Sequence, residues 1–584
     1  MAVEQLITQH IDTWTSALQT RSTAGRGSNG KIDLYGIKKL RELILELAVR
    51  GKLVPQNPND EPASELLKRI AAEKEELVKQ GKIKKQKPLP EISEEEKPFE
   101  LPSGWDVIRL GDLTTKIGSG STPRGGQNSY VSSGIPFLRS QNIWNDELKL
   151  DDVVFISSEV HSQMEGTQVK GNDILLNITG ASLGRCTIFP ERIGEANVNQ
   201  HVTIIRLIEQ GMVSFLHLAI ISPVIQKIIW GRQVGMAIEG LSKKTLELFE
   251  IPVPPLPEQL RIVYKINELM SLCDQLEQQS LTSLDAHSQL VETLLATLTD
   301  SQNAEELAEN WARISQHFNT LFTTEASIDA LKQTILQLAV MGKLVPQDPH
   351  DEPASELLKR IEQEKAQLVK EGKIKKQKPL PPISDDEKPF ELPKGWEWCR
   401  IAELGICSTG KTPSTSNSSY YSGKIPFLGP GDITPDGCIS IGEKFVSVDG
   451  AEKSTIAYKN DILTVCIGGS IGKCGIVKEL VVFNQQINCI SPIIVRPDYI
   501  FYSFNTGAFL EKLISEATGS ATPIINRGRW EMLLISLPPE KEMVRIINKA
   551  KQLLFTCDLI KSRLQLAQQT QLHLADALTD AALS

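Results

Sequence analysis

A 55-residue segment of this chain is written twice, 291 positions apart. Gly51 to Trp105 reads GKLVPQNPNDEPASELLKRIAAEKEELVKQGKIKKQKPLPEISEEEKPFELPSGW. Gly342 to Trp396 reads GKLVPQDPHDEPASELLKRIEQEKAQLVKEGKIKKQKPLPPISDDEKPFELPKGW. The two align without a gap and agree at 44 of 55 positions. The stretches beyond the two copies have diverged far more. A fold for such a chain must hold two like modules and two unlike ones. Like parts suit one kind of partner bound twice, and unlike parts suit two different targets.

The duplication extends upstream. Leu40 to Val49 (LRELILELAV) matches Leu331 to Val340 (LKQTILQLAV), with Leu40, Leu43, Ile44 and Leu47 at helical spacing. After Gly51 a Pro-punctuated loop leads to a second helix, from Ser64 to about Lys79, with Pro62 ahead of it and Gly81 to end it. A basic, Pro-flanked tract (GKIKKQKPLP) comes next, then an acidic stretch (EISEEEKPFELP). The polar composition suits a solvated linker, and near-identity in both copies suits a docking segment.

Beyond Trp105 and Trp396 lie two variable blocks of about 150 residues, each roughly one domain. Common anchors survive in order: Gly120–Pro123 with Gly410–Pro413, Ile135–Leu138 with Ile425–Leu428, and Asp173–Leu175 with Asp461–Leu463. Gly184–Cys186 with Gly472–Cys474 and Asn199–Gln200 with Asn484–Gln485 complete the series. Short β-branched runs separated by Gly, Asn and Asp predict strands with some helix, an α+β domain. The blocks read as one fold carrying two surfaces, with Phe137 and Phe427 in its core.

Each block closes with a proline-rich exit, IPVPPLPEQLRI at Ile251 to Ile262 and ISLPPEKEMVRI at Ile535 to Ile546. A long helical pattern then begins. Ile262, Ile266, Leu269, Cys273 and Leu276 step by three and four, as do Ile546, Ala550, Leu553, Cys557 and Ile560. Both carry Cys-Asp and end in Leu-Thr-Asp. Two helices of about 40 residues with apolar seams are expected to pair as an antiparallel coiled coil. The middle of the chain runs long helix, intervening helix, module; the C-terminus has the long helix alone and the N-terminus the module alone. If the two ends meet, they rebuild together what the middle supplies in one piece. The repeat is then circular and the chain pseudo-twofold.

Bulk properties exclude several classes. The chain has 584 residues, 40% of them hydrophobic and 23% charged, and a net charge of −9. That length predicts several domains, and the charge requires any nucleic-acid contact to come from local patches or partners. Nine cysteines without CxxC spacing argue against zinc sites and disulfides, and reduced thiols suit the cytoplasm. The most apolar stretch, Phe215 to Trp230, is too short and polar to span a bilayer. No HExxH, GxSxG or aminomethyltransferase Asn/Asp-Pro-Pro-aromatic motif occurs, and Gly468–Cys474 fails the phosphate-loop pattern at its first glycine and at Cys474. These absences favour a binding protein.

The double occurrence of LPxGW (Leu101–Trp105, Leu392–Trp396), GxTP, IPFL and a proline-rich exit into a long helix resembles the DNA-specificity subunit of type I restriction–modification systems. The resemblance covers essentially the whole chain; the second exit departs from it, reading Pro539-Glu-Lys-Glu-Met543 where Pro255 to Gln259 reads PLPEQ. It implies residues 1–100 as an N-terminal helical and docking module, 101–256 as target-recognition domain 1 and 257–300 as a central spacer helix. It further implies 301–391 as the repeated docking module, 392–540 as target-recognition domain 2 and 541–584 as a C-terminal spacer helix. Each recognition domain would read half of a bipartite, asymmetric site in double-stranded DNA. The modules would hold two modification subunits carrying S-adenosylmethionine, and restriction subunits using ATP and Mg would join them. The chain itself would be non-catalytic, and no membrane is involved.

Base edges are told apart by Arg/Lys at guanine and Asn/Gln at adenine, with Ser and Thr on phosphates. On that chemistry the candidates in the first block are Ser121, Thr122, Arg124, Arg139, Gln141, Asn142, Lys243 and Lys244. In the second they are Lys411, Thr412, Ser414, Thr415, Arg527 and Arg529. The alternative class is a coiled-coil adaptor whose variable blocks bind proteins or glycans.

Overall fold

The computed structural model describes residues 3–21, 31–145, 147–232, 240–519 and 522–583. The chain forms two compact units, each assembled from separated pieces. The first takes residues 1–19, 33–281 and 570–584; the second takes 20–32 and 282–569. The first unit therefore contains both ends of the chain, as the circular reading requires. Tyr35 donates to Asp576 at 2.7 Å, and the Lys52 ammonium donates to the Leu583 carbonyl at 2.7 Å.

In the first unit, helix Tyr35–Val49 buries Leu40, Leu43, Ile44 and Leu47, the predicted stripe. Arg50 caps it and Gly51, at φ +69°, ends it. Arg41 leaves its exposed face to bond Asp274 at 2.7 Å and Glu277 at 2.8 Å on the first long helix, Leu256–Asp300. The seam Ile262, Ile266, Leu269, Cys273 and Leu276 is buried throughout. The second unit repeats these relations. Lys332, the counterpart of Arg41, pairs with Asp558 on the second long helix, Glu540–Leu583, and Lys561 pairs with Asp329 at 2.7 Å. Lys343, the counterpart of Lys52, donates to the Thr299 and Ser301 carbonyls at 2.6 and 2.9 Å. Here Val291, Leu295 and Leu298 share one apolar cluster with Ile328, Leu331, Ile335, Ala550 and Cys557.

The duplicated segment has the same geometry in both units. Its second helix (Ala63–Lys79, Ala354–Lys370) starts against the LPxGW turn. Ala63 N–H bonds the Gly104 carbonyl at 2.9 Å, and Ala354 N–H bonds the Gly395 carbonyl at 2.8 Å. Lys74 and Lys365 donate into the adjoining domain, to the carbonyls of Gly111 and Ala402 at 2.6 and 2.5 Å; burial lowers the pKa of both ammonium groups. The proline-rich exit docks on the same module: Arg261 pairs with Asp60 at 2.6 Å, and Arg545 with Asp351 at 2.7 Å. Beside these pairs, burial pushes the Glu258 and Glu542 carboxyls up, and Trp396 Nε1 donates to Glu542 at 3.1 Å.

Each unit has one sheet-containing domain. The first holds a four-stranded antiparallel sheet in the order Cys186–Ile188, Ile174–Asn177, Val202–Leu207, Thr114–Ser119. A second sheet of five short strands has one parallel pair, Ile135–Leu138 with Ala196–Val198. The second domain repeats this, with Cys474–Ile476, Ile462–Val465, Ile487–Pro492 and Gly405–Thr409 in one sheet and the parallel pair Ile425–Leu428 with Val481–Phe483 in the other. In both, a two-stranded ribbon joins entry to exit: Asp106–Arg109 with Glu250–Val253, and Glu397–Arg400 with Leu534–Leu537. The architecture is α+β, as expected. Phe137 and Phe427 lie in the core. The apolar stretch near Phe215 folds into two helices, Val213–Ile221 and Pro223–Gly231, whose Phe215, Leu216, Ile225 and Ile229 are buried. Among the described residues no single helix is long and apolar enough to cross a membrane.

The acidic tract between module and recognition domain is not a free linker. It lies across the ribbon as a strap held by one arginine. Arg109, 4% exposed, donates to the Pro90 carbonyl at 3.2 Å and to Glu96 at 2.9 Å, and Arg400 does the same to Pro381 at 3.3 Å and Glu387 at 3.0 Å. These guanidinium bonds, with the Ser93 and Ser384 backbone N–H groups, hold the Glu96 and Glu387 carboxyls down at about 2. The copies differ across the ribbon. Opposite Arg109 stands Glu250, 1% exposed, ion-paired with Arg109 and with Arg232 at 2.8 Å; opposite Arg400 stands Leu534. Arg109→Met therefore leaves the buried Glu250 carboxylate with Arg232 as its one cation and is expected to lower stability by up to about 3 kcal/mol. Arg400→Met releases one carboxylate, Glu387, 40% exposed, and is expected to cost clearly less. Urea unfolding of the two variants checks the difference.

Candidate nucleic-acid interface

The recurring anchors gather where strands end. In the first domain Ser119 pairs with Thr203, Asn177 with Val202, Leu176 with Cys186 and Leu138 with Val198, which brings the ends of both sheets to one rim. Asn177 ties the sheets together by donating to the Ser140 carbonyl at 2.8 Å. In the second domain Thr409 and Thr464 pair with Asn488, Thr464 with Cys474 and Leu428 with Phe483.

The GxTP turn is locked onto this rim by its backbone. Gly120 N–H bonds the Val202 carbonyl and Ser121 N–H the Val198 carbonyl, at 3.0 and 3.2 Å; Gly410 and Lys411 bond Ile487 and Phe483, both at 3.0 Å. A Cβ at Gly120 would stand 1.8 Å from the Val198 carbonyl oxygen, and one at Gly410 2.0 Å from that of Asn484, so only glycine permits the approach. The threonine hydroxyl then donates to the shared glutamine, Thr122 to Gln200 at 2.5 Å and Thr412 to Gln485 at 2.6 Å. Asn199 and Asn484 shape the turn beneath, their side chains accepting from His201 N–H and Gln486 N–H at 3.1 and 3.0 Å.

On this frame Ser121, Thr122 and Arg124 are exposed at the first rim, and Lys411, Ser414 and Thr415 at the second, with Thr412 half-buried beside them. Arg139 is partly exposed and donates to the Asp152 carbonyl at 2.7 Å; Gln141 is exposed and bonds the Asp152 carboxylate. Ser414 shares a hydrogen bond with Ser416 at 2.7 Å.

Asn142 departs from the expectation. It is fully buried; its oxygen accepts from Arg139 N–H and its amide donates to the Lys149 carbonyl and to Asp152, each at 2.9 Å. A side chain whose donors and acceptor are all engaged inside the fold supports the loop and reads no base. Lys243 and Arg527 open two equivalent short helices, Lys243–Glu247 and Arg527–Trp530, each capped by the preceding residue, Ser242 or Asn526. Lys243 lies 3.5 Å from Glu247 and Arg527 3.5 Å from Glu531. Lys244 and Arg529, both exposed on the same two helices, also line cavities beside the strap, of about 420 Å³ with Pro90, Arg109 and Arg232, and about 850 Å³ with Pro381, Phe390 and Arg400. Gly468–Cys474 is the turn between the antiparallel strands Ile462–Val465 and Cys474–Ile476; it leads into no helix, as a phosphate loop would.

One group at the rim lies outside the sequence-based candidates. Trp144, 36% exposed, has the Arg185 guanidinium 4.0 Å and the Lys149 ammonium 4.2 Å from its ring centroid. An aromatic residue within the polar run QNIWNDELK was the available signal; Arg185, 41 positions on, is brought to it only by the fold.

A family model described as "Type I restriction modification DNA specificity domain" matches residues 102–286 and 393–569, the two sheet-bearing blocks with the starts of both long helices. The chain belongs to that family. It is similar over its full length to two Escherichia coli proteins, the type I restriction enzyme EcoAI specificity subunit, 49% identical, and the EcoEI specificity subunit, 50% identical; each comparison covers 100% of both chains. A solved HsdS subunit from Thermoanaerobacter tengcongensis is 17% identical, with 84% of this chain and 98% of that one covered and a TM-score of 0.41. The protein is thus a type I specificity subunit with two target-recognition domains, and the adaptor reading finds no support.

The burial of Asn142 carries a test. Asn142→Ala removes the partner of two backbone groups and is expected to lower stability by about 1–3 kcal/mol. Gln141→Ala, on the exposed side of the same turn, is expected to change it by less than about 0.5 kcal/mol. Denaturant midpoints of the two variants decide whether Asn142 belongs to the fold or to the surface.

Proposed function

We propose that each rim reads one half of a bipartite, asymmetric site in double-stranded DNA. The observation that carries this reading is a shared frame with unlike side chains. The GxTP turn, the threonine–glutamine bond and the strand register recur in both domains, while Arg139, Gln141 and Trp144 on one rim correspond to Gly429, Gly431 and Thr434 on the other. Bases are discriminated by side chains and phosphates are held by sequence-independent donors, so a common frame with exchanged side chains suits two different half-sites. The working set of contacts is Ser121, Thr122, Arg124, Arg139, Gln141 and Lys243 in the first domain and Lys411, Thr412, Ser414, Thr415 and Arg527 in the second.

The two long helices act in this reading as the spacer ruler, and the duplicated modules dock two modification subunits. Near-identity of the module surfaces suits identical partners. Those subunits would bring S-adenosylmethionine and the adenine-methylating centre. Restriction subunits, with ATP and Mg, would join the assembly, and this chain would contribute recognition rather than catalysis. A chain of net charge −9 depends on partners to neutralise much of the phosphate backbone.

Replacing residues 106–250 with the corresponding block of another specificity subunit is expected to change one half-site of the methylated sequence and leave the other intact. Adding four residues to a long helix, about 6 Å at ~1.5 Å per residue, is expected to change the spacer and neither half-site. Methylome sequencing reads both outcomes, and a methylation pattern insensitive to both changes overturns the reading.

A further inference from the structure

We infer that Arg185, held by Trp144, contacts the edge of a guanine in the half-site read by the first domain. The inference rests on the proposed DNA reading and adds to it a residue pair and the base it recognises.

The pair is built by two loops. Ile143 and Leu148 bridge the base of the first, and the Asn145 side chain accepts from Cys186 N–H at 3.1 Å, which fastens the first loop to the start of the strand carrying Arg185. Trp144 Nε1 donates to the Gln141 carbonyl at 2.9 Å, which sets the indole orientation. Arg185 then lies 4.0 Å from the ring centroid. Among the described residues neither Arg185 nor Lys149 forms an ion pair. Two cations on a partly exposed tryptophan, in an acidic protein, make a local site for an anionic ligand.

A guanidinium against an aromatic ring keeps its in-plane N–H donors free, and its rotamers are restricted before binding. A planar fork of donors matches the O6 and N7 acceptors of guanine in the major groove. The second domain shows that the platform is specific to the first. Its loop is bridged in the same way, by Ile433 and Ile439, but Thr434 takes the place of Trp144 and closes the loop on itself, exchanging two 2.9 Å bonds with Cys438. Lys473 replaces Arg185. A lysine serves a phosphate equally well in either domain, whereas a fork on an aromatic platform present in one domain alone suits base reading. Trp144 is a positioning residue here, and Lys149 supplies charge.

The test uses the full chain expressed with its modification subunits, with methylome sequencing as readout. Arg185→Lys and Arg185→Ala are expected to relax one position of the first half-site, losing at least about tenfold in discrimination for guanine, with the second half-site and the spacer unchanged. Trp144→Ala is expected to relax the same position, and Trp144→Phe, which keeps a ring under the guanidinium, to retain most of the discrimination. Uniformly weaker methylation at an unchanged sequence would make Arg185 a phosphate contact and overturn the inference. So would an unchanged pattern, or a change in the second half-site. If Arg185→Ala or Trp144→Ala fails to fold, by thermal melting, the Lys and Phe variants decide alone. Replacing residues 106–250 separates the two levels: a changed half-site there with unaltered Arg185 variants leaves the DNA reading standing and sinks this one.

Discussion

Burial of the apolar seams on the two long helices is the constraint on which the rest of the structure depends. Five positions on the first helix, Ile262 to Leu276, are buried in the first unit, and Val291, Leu295 and Leu298 in the second. A fully buried Leu or Ile contributes about 1.5–3 kcal/mol, so leaving such a seam open would outweigh a domain's net stability. In the second unit the helix Glu325–Val340 and the start of the second long helix join the seam in one cluster. In the first unit the corresponding pieces come from opposite ends of the sequence. Tyr35 on Asp576 and Lys52 on Leu583 bring them together, and the repeat becomes circular.

On that base the duplicated module holds each recognition domain at three places. The second module helix reaches the short helical turn after its entry strand through Lys74 or Lys365. The exit segment is clamped by Asp60–Arg261 or Asp351–Arg545. The strap is fastened by Arg109 or Arg400. Every one of these bonds recurs with its counterpart residues. The module therefore does more than separate domains: it sets how each rim is presented to a ligand. The copies do differ where the strap crosses the ribbon: one domain places a buried carboxylate, Glu250, opposite the arginine and the other an apolar side chain, Leu534.

Much of this was legible because it is periodic or repeated. Helical spacing marked Leu40 to Leu47 and Ile262 to Leu276, and the doubled GxTP and IPFL marked the strand ends that form the rims. Side-chain roles at the rim were less legible. Asn142 has the chemistry of a base reader and is spent inside its loop, while Trp144 and Arg185, apart in sequence, meet through a loop bond between Asn145 and Cys186. The acidic strap looked like solvated linker because its anchor, one buried guanidinium, lies 13 residues beyond Glu96.

The sequence by itself determined the duplication, the α+β blocks, the long helices and the family, because those rest on local periodicity and on patterns that occur twice in the same order. Only the tertiary structure decided that the chain ends share a unit, that the acidic tract is a strap, and which polar side chains face outward. Each of these depends on contacts between residues tens to hundreds of positions apart. A side chain's chemical type does not say whether its hydrogen bonds are already used within the fold.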